Sequence, residues 1–237
     1  MHDARRFGGG ATTTLALALA GVAGFVDAVG FIVLRGLFTA HMSGNAAQVG
    51  VRLGHGDVAA AVPLIVAIAL FIVGVALGTA VDELATRRGV RATTALTLAL
   101  QAVVVAAFMA YGEARIGAGR VSDHGLGGFY VLAALAIIAM GLQASSIRRV
   151  AGQSVRTTYI TGVLTDFARG AVERVARGSN AETVVGLLGG IVVLYLAGAT
   201  LGSVAQRWAG MWALAVPLAA LLAAAAADAR RPFATVE

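Results

Sequence analysis

Three groups of residues have the types and positions that chemistry needs. Asp27 sits inside the apolar run Thr12–Leu34, seven residues, or ~10 Å along a helix, from its outer end. An ionised carboxylate in such a run is costly unless it is paired or hydrated. It suits a proton- or cation-coupling site; a structural cap, or an ion pair with Arg35 or a residue of the second half, answers the same pattern. Gln143, with Ser145 and Ser146 beside it, ends a later apolar run, where its amide can hydrogen-bond across helices. The third group is a pair of polar segments. One carries Ser43, Gly44, Asn45 and Gln48; the other carries Thr157, Thr158, Tyr159, Thr161, Gly162 and Asp166. Hydroxyls and amides beside glycine fit an unwound turn that binds a substrate or ion. Thr39 and Thr157 are placed to cap helices whose N-termini attract anions.

Other chemistry lacks its ingredients. With no cysteine there is no disulfide, thiolate metal site or sulfur nucleophile. His41–Met42 and His55–Gly56–Asp57 do not make a metal site in a chain with four scattered histidines. No Ser-His-Asp order, HExxH or pair of carboxylates at helical spacing occurs, so neither an enzyme nor a cofactor is expected.

The elements that must carry these residues are membrane spans. The 237 residues are 59% hydrophobic and 13% charged, with a mean hydropathy of +0.85. Soluble domains hold roughly 45–50% and 25%, and disorder needs the opposite bias. A bilayer core of about 30 Å takes about 20 apolar helical residues. Six segments qualify: Thr12–Leu34, Val58–Val81, Ala92–Tyr111, Leu126–Ile147, Ala181–Ala205 and Gly210–Ala227. Arg5–Arg6–Phe7 resembles an export signal, but the 23-residue run after it is too long for one, so a retained first span is expected. Thr39–Leu53 and Thr157–Arg177 are helix-compatible but too polar for ordinary spans. In the second, Arg169, Glu173, Arg174 and Arg177 recur at helical spacing, as on a surface helix.

The net charge of +6 falls in clusters between the apolar runs, which reads as topology signal and phospholipid contact rather than nucleic-acid binding. With six spans and both termini cytoplasmic, 13 arginines lie inside and 5 outside; eight spans would give 10 and 8. Six is therefore the expectation, and seven, with one of the polar stretches crossing, is its rival.

The halves 1–111 and 112–237 resemble each other. Thr39–Ala–His–Met–Ser–Gly44 aligns with Thr157–Thr–Tyr–Ile–Thr–Gly162, and Gly74–Val–Ala–Leu–Gly78–Thr79 with Gly198–Ala–Thr–Leu–Gly202–Ser203. Gly74, Gly78, Gly198 and Gly202 form GxxxG pairs, which read as helix-packing faces and leave a homodimer open. Two three-span units, an odd number each, must insert in opposite senses. That plan, with polar broken or re-entrant segments meeting near the midplane at a cavity, is common in secondary transporters.

The stretches Gly24–Phe–Val–Asp27–Ala–Val–Gly–Phe31 with His41–Met–Ser–Gly–Asn45, and Gly141–Leu–Gln143–Ala–Ser–Ser–Ile–Arg–Arg149 with Thr157–Thr–Tyr–Ile–Thr–Gly162, resemble the signature of the YoaK family of bacterial transmembrane proteins. His41 departs from it, standing where an apolar or small residue is expected. The resemblance implies a multi-pass protein of the bacterial inner membrane and assigns no activity. The expectation is thus an all-α integral membrane protein of two inverted three-helix repeats. It would be a transporter or permease, or alternatively a scaffold that binds a partner or anionic phospholipid through Arg148–Arg177.

Overall fold

The computed structural model describes residues 4–116, 126–146, 159–177 and 182–230. Those residues form helices α1 (Ala4–Val33), α2 (Met42–Gly54), α3 (Val58–Arg87), α4 (Thr93–Ile116), α5 (Leu126–Ser146), α6 (Ile160–Arg177), α7 (Glu182–Ala209) and α8 (Ala215–Arg230), with a 3₁₀ turn at Gly210–Leu214. No strand occurs among them. Runs of Ala and Leu favour helix. Asp57 caps α3 by accepting from the Ala60 N–H at 3.0 Å.

Five segments are long and apolar enough to cross a membrane: Thr12–Val33, Val58–Arg87, Thr93–Arg115, Gly127–Ser146 and Val185–Arg230. The last spans 46 residues and is broken at Gly210, whose φ of +55° ends the helix. Packing shows that the chain turns there. α7 lies parallel to α1, with Gly190 against Leu17 and Gly202 against Phe25. α8 lies antiparallel to α4, with Met211 against Gly112 and Asp228 against Ala95. α3 and α5 are parallel, Gly74 meeting Ile138 and Gly78 meeting Ser145. α4 and α5 are antiparallel, joined by Tyr111 against Gly128 and Gln101 against Gln143. The six apolar helices therefore alternate in direction.

Two crossings make the most extensive packing, α1 on α7 and α3 on α5, and each joins one half of the chain to the other. A Cβ on Gly24 would collide with the Tyr195 carbonyl and crowd Ala199; one on Gly141 would do the same to Phe71 and Val75. Gly198 meets Gly21, and Gly74 meets Ile138. Both crossings are thus backbone-to-backbone contacts of small residues, where dispersion replaces the missing hydrophobic drive in lipid. The four glycines of the GxxxG pairs lie inside these crossings, so none is left over for a second copy.

The polar segments behave differently from expectation. α2 packs on α3 and α6 on α7, and the described parts of α2 and α6 do not pack on each other. α2 also starts at Met42, after Thr39, with His41 at the cap position and no side-chain cap bond.

Gly198→Leu or Gly24→Val should lower stability by about 1–3 kcal/mol or more, because the opposing backbone cannot yield. Gly50→Ala, exposed within α2 and meeting open space, should instead raise it by about 0.5–1 kcal/mol through helix propensity. Thermal unfolding in detergent micelles would measure both.

Candidate functional site

α1 ends in a tight turn, and residues 34–41 then fold back beside its last turns. Thr39 packs its methyl against Gly30, where a Cβ would collide with it. This return places irregular backbone deep in the bundle, where each N–H needs an acceptor. Asp27 is that acceptor. Its Oδ1 receives the Thr39 N–H at 2.9 Å, the Ala40 N–H at 2.9 Å and the Thr39 hydroxyl at 2.6 Å. Its Oδ2 receives His41 Nδ1 at 2.8 Å and the Tyr195 hydroxyl at 2.8 Å. One carboxylate thereby ties α1, the returning loop and α7.

Around the carboxylate the site is graded in access. The Asp27 side chain is 6% exposed and that of His41 is 27%. Tyr195 Oη stands 3.4 Å from His41 Nδ1, and the rings meet edge-on at 5.6 Å. On the other side Phe38 lies 5.6 Å from the imidazole. The hydrogen bond to Asp27 pushes the His41 pKa above its ordinary value, against the effect of burial. Three titratable groups in one hydrogen-bonded cluster can store and pass a proton; the tie to the second half is a hydrogen bond from a tyrosine hydroxyl rather than an ion pair, and the N–H groups that Asp27 accepts belong to the loop before α2 rather than to a helix end.

The other residues of the first segment divide. Asn45 is buried and holds the loop as a staple, accepting from Phe38 N–H at 3.2 Å and donating to the Phe38 carbonyl at 2.9 Å. Gly44 faces the Phe38 ring. Ser43 is exposed. Gln48 lines a separate cavity near the end of α1. In the second segment Thr157 and Thr158 lie outside the described residues, as do Arg148, Arg149 and Arg156. Tyr159, Thr161 and Asp166 are exposed on or beside α6, and Gly162 lies under the Tyr159 ring.

Gln143 forms a second polar centre. Its Nε2 donates to the Leu19 carbonyl at 2.6 Å and its Oε1 accepts from Gln101 at 2.8 Å, which joins α1, α4 and α5. Gln101 Oε1 is buried without a partner among the described residues. One and two turns back along α4 stand buried Thr97 and Thr93, and buried Asp228 accepts from the Ala95 N–H at 2.7 Å. No group of three or more His, Asp or Glu among the described residues could hold a metal ion.

Sequence reading missed Tyr195, Gln101 and Asp228, and it noted His41 as a departure from the family signature and set it aside as a metal ligand. The available signal was position. Tyr195 and Gln101 are isolated polar groups inside apolar runs, and Asp228 stands one residue past the expected last span.

Residues 15–227 match the family described as Protein of unknown function (DUF1275). Over 92 residues the chain is 39% identical to the UPF0700 transmembrane protein RA0705 of Rhizobium meliloti (strain 1021), a stretch covering 38% of this chain and 40% of that protein's length. No solved structure matches the chain. With several apolar helices and this transmembrane relative, it is a multi-pass membrane protein.

Asp27→Ala should cost about 3–5 kcal/mol, since it strands buried donors, and Thr39→Val about 1–3 kcal/mol. A raised histidine pKa stabilises the fold fully below about 6.5, its unfolded value, and that stabilisation is lost as pH rises through the folded value. The melting temperature should therefore fall on going from pH 6.5 to alkaline buffer, and His41→Gln should flatten that slope.

Proposed function

The chain belongs to the DUF1275 family, and from that premise we propose that it is a small secondary transporter or permease of the bacterial inner membrane, gated through Asp27, His41 and Tyr195. The observation that carries this reading is a buried carboxylate in the first span, bonded to both halves of the chain and reached through a partly exposed histidine. Acids are expensive at that depth and mark proton relays and ion pathways. Loss of the carboxylate's charge would weaken its hold on the returning loop, so protonation and loop release are linked.

Six spans with both termini cytoplasmic agree with the alternating helix directions and with arginines gathered at the end where α3 meets α4. The two glycine crossings, made by residues at corresponding places in each half, support inverted repeats. The chemistry is not repeated. Tyr195 has Phe71 in its place at the other crossing, and three residues beyond Gly141 stands Ala144 where Asp27 follows Gly24. In this closed arrangement Asn45, Asp27 and Gln143 are bonded inside the protein, and opening would bare them to a path between the halves.

A second reading has its own observation. α6 presents Leu164, Val172 and Val175 to the outside beside exposed Arg169, the pattern of a helix lying at a lipid surface. A scaffold docked on anionic phospholipid would use that face, and its binding would weaken with salt.

Proton uptake into proteoliposomes, driven by an inside-negative potential and read with an entrapped pH dye, should exceed that of empty liposomes and fall sharply in Asp27→Asn. Equal rates in both proteins would remove the coupling role. The cysteine-free chain also allows single-cysteine labelling with an impermeant maleimide. Arg88→Cys and Gln153→Cys should label from the same face, and labelling from opposite faces would sink the six-span plan.

A further inference from the structure

The two glutamines that join α1, α4 and α5 leave one atom over, and the network itself decides which. The Leu19 carbonyl can only accept, so it fixes Nε2 of Gln143 toward α1 and turns its Oε1 toward α4. That oxygen takes its donor from Nε2 of Gln101. Reversing either amide would set like groups against each other. Oε1 of Gln101 therefore ends the line, and no described residue donates to it. Gln101 is 0% exposed and Gln143 is 1% exposed. An amide oxygen stripped of water with no replacement donor is costly and rare in native proteins. One turn back on the same face of α4 stands Thr97, also buried. Its hydrogen is directed at the Thr93 carbonyl, 3.5 Å away, which leaves the lone pairs of its oxygen to accept. Two enclosed acceptors thus stand one turn apart.

We propose that a water molecule is bound between Gln101 Oε1 and Thr97 Oγ1, donating one O–H to each. Its two hydrogens match the two acceptors, and two polar partners are enough to hold an interior water. The surroundings select an uncharged donor. No charged side chain is bonded to either glutamine among the described residues, and Asp228 meets α4 at Ala95, six residues or ~9 Å along the helix from Gln101. A cation would be desolvated there without a counter-charge, and an anion would face oxygen lone pairs. Gln101 is sealed from the surface, so the donor must be small enough to be enclosed with it. Bound there, the water closes a line of bonds that begins at Leu19 on α1, passes through Gln143 on α5 and ends on α4. This joint is separate from Asp27, which lies eight residues or ~12 Å from Leu19 along α1. The site does not rest on transport.

The test is water-edited magic-angle-spinning NMR on the full chain in liposomes. Gln101 is one of five glutamines, and its side-chain amide is assigned by its loss in Gln101→Met. Magnetisation should pass from water to that amide faster than to the backbone amides of Leu98 and Val105, which are equally enclosed on the same helix. The transfer should fall to their level in Thr97→Val and survive in Thr97→Ser. Thermal unfolding gives an independent reading. Thr97→Val and Gln101→Met should each lower the melting temperature. The double variant should melt no lower than Gln101→Met alone, because both changes remove the same water. Additive losses overturn the proposal, as does fast transfer that Thr97→Val leaves unchanged. Transfer no faster than to Leu98 and Val105 overturns it even where the two variants are non-additive, since the Thr97 hydroxyl then bonds Gln101 directly.

Discussion

Backbone that leaves helix inside an apolar bundle must find hydrogen-bond partners there, and the first half of this protein is arranged around that requirement. The loop after α1 turns back along its own helix, which buries Thr39 and Ala40 with their N–H groups. Asp27 accepts both, and with the Thr39 hydroxyl, His41 and Tyr195 it receives five bonds. The acid is tolerated in lipid because the loop satisfies it, and the loop is tolerated because the acid satisfies it. Neither explains the other alone.

Glycine sets the rest of the frame. Gly24 and Gly198 let α1 and α7 touch along their backbones, which brings the Tyr195 hydroxyl to the Asp27 carboxylate. A bulkier residue at either of these glycines would hold the two helices apart and leave a buried charge with fewer donors. The matching crossing of α3 and α5 repeats the close approach without the charge. One is a joint with a titratable group beside it and the other is a plain joint.

Much of this was legible in the residues. Long apolar runs marked the helices because helix period and length are local properties, and the GxxxG pairs announced the crossings. Asp27 stood out because its environment in the sequence contradicts its charge. What could not be read was who meets whom. Tyr195 lies 168 residues from Asp27 and looks like any aromatic in an apolar run. The break at Gly210 coincides with the first residue of the expected last span, whereas α2 starts three residues after the start of the polar stretch Thr39–Leu53. There, a tertiary bond from Thr39 to Asp27 displaced the local capping role that its type suggests. The two polar segments were expected to meet, but their described helices each pack on the helix that follows.

The exchange of partners between halves bears on how the protein is made. α1 leaves the ribosome well before α7, the helix it packs against most extensively. At the usual 5–20 residues per second, roughly ten to thirty seconds separate the synthesis of Asp27 from that of Tyr195. During that interval the loop through His41 is the carboxylate's local shield, since its bonds come from residues synthesised within 14 positions of it. The short-range bonds thus let an acidic helix wait in the bilayer for a partner not yet translated.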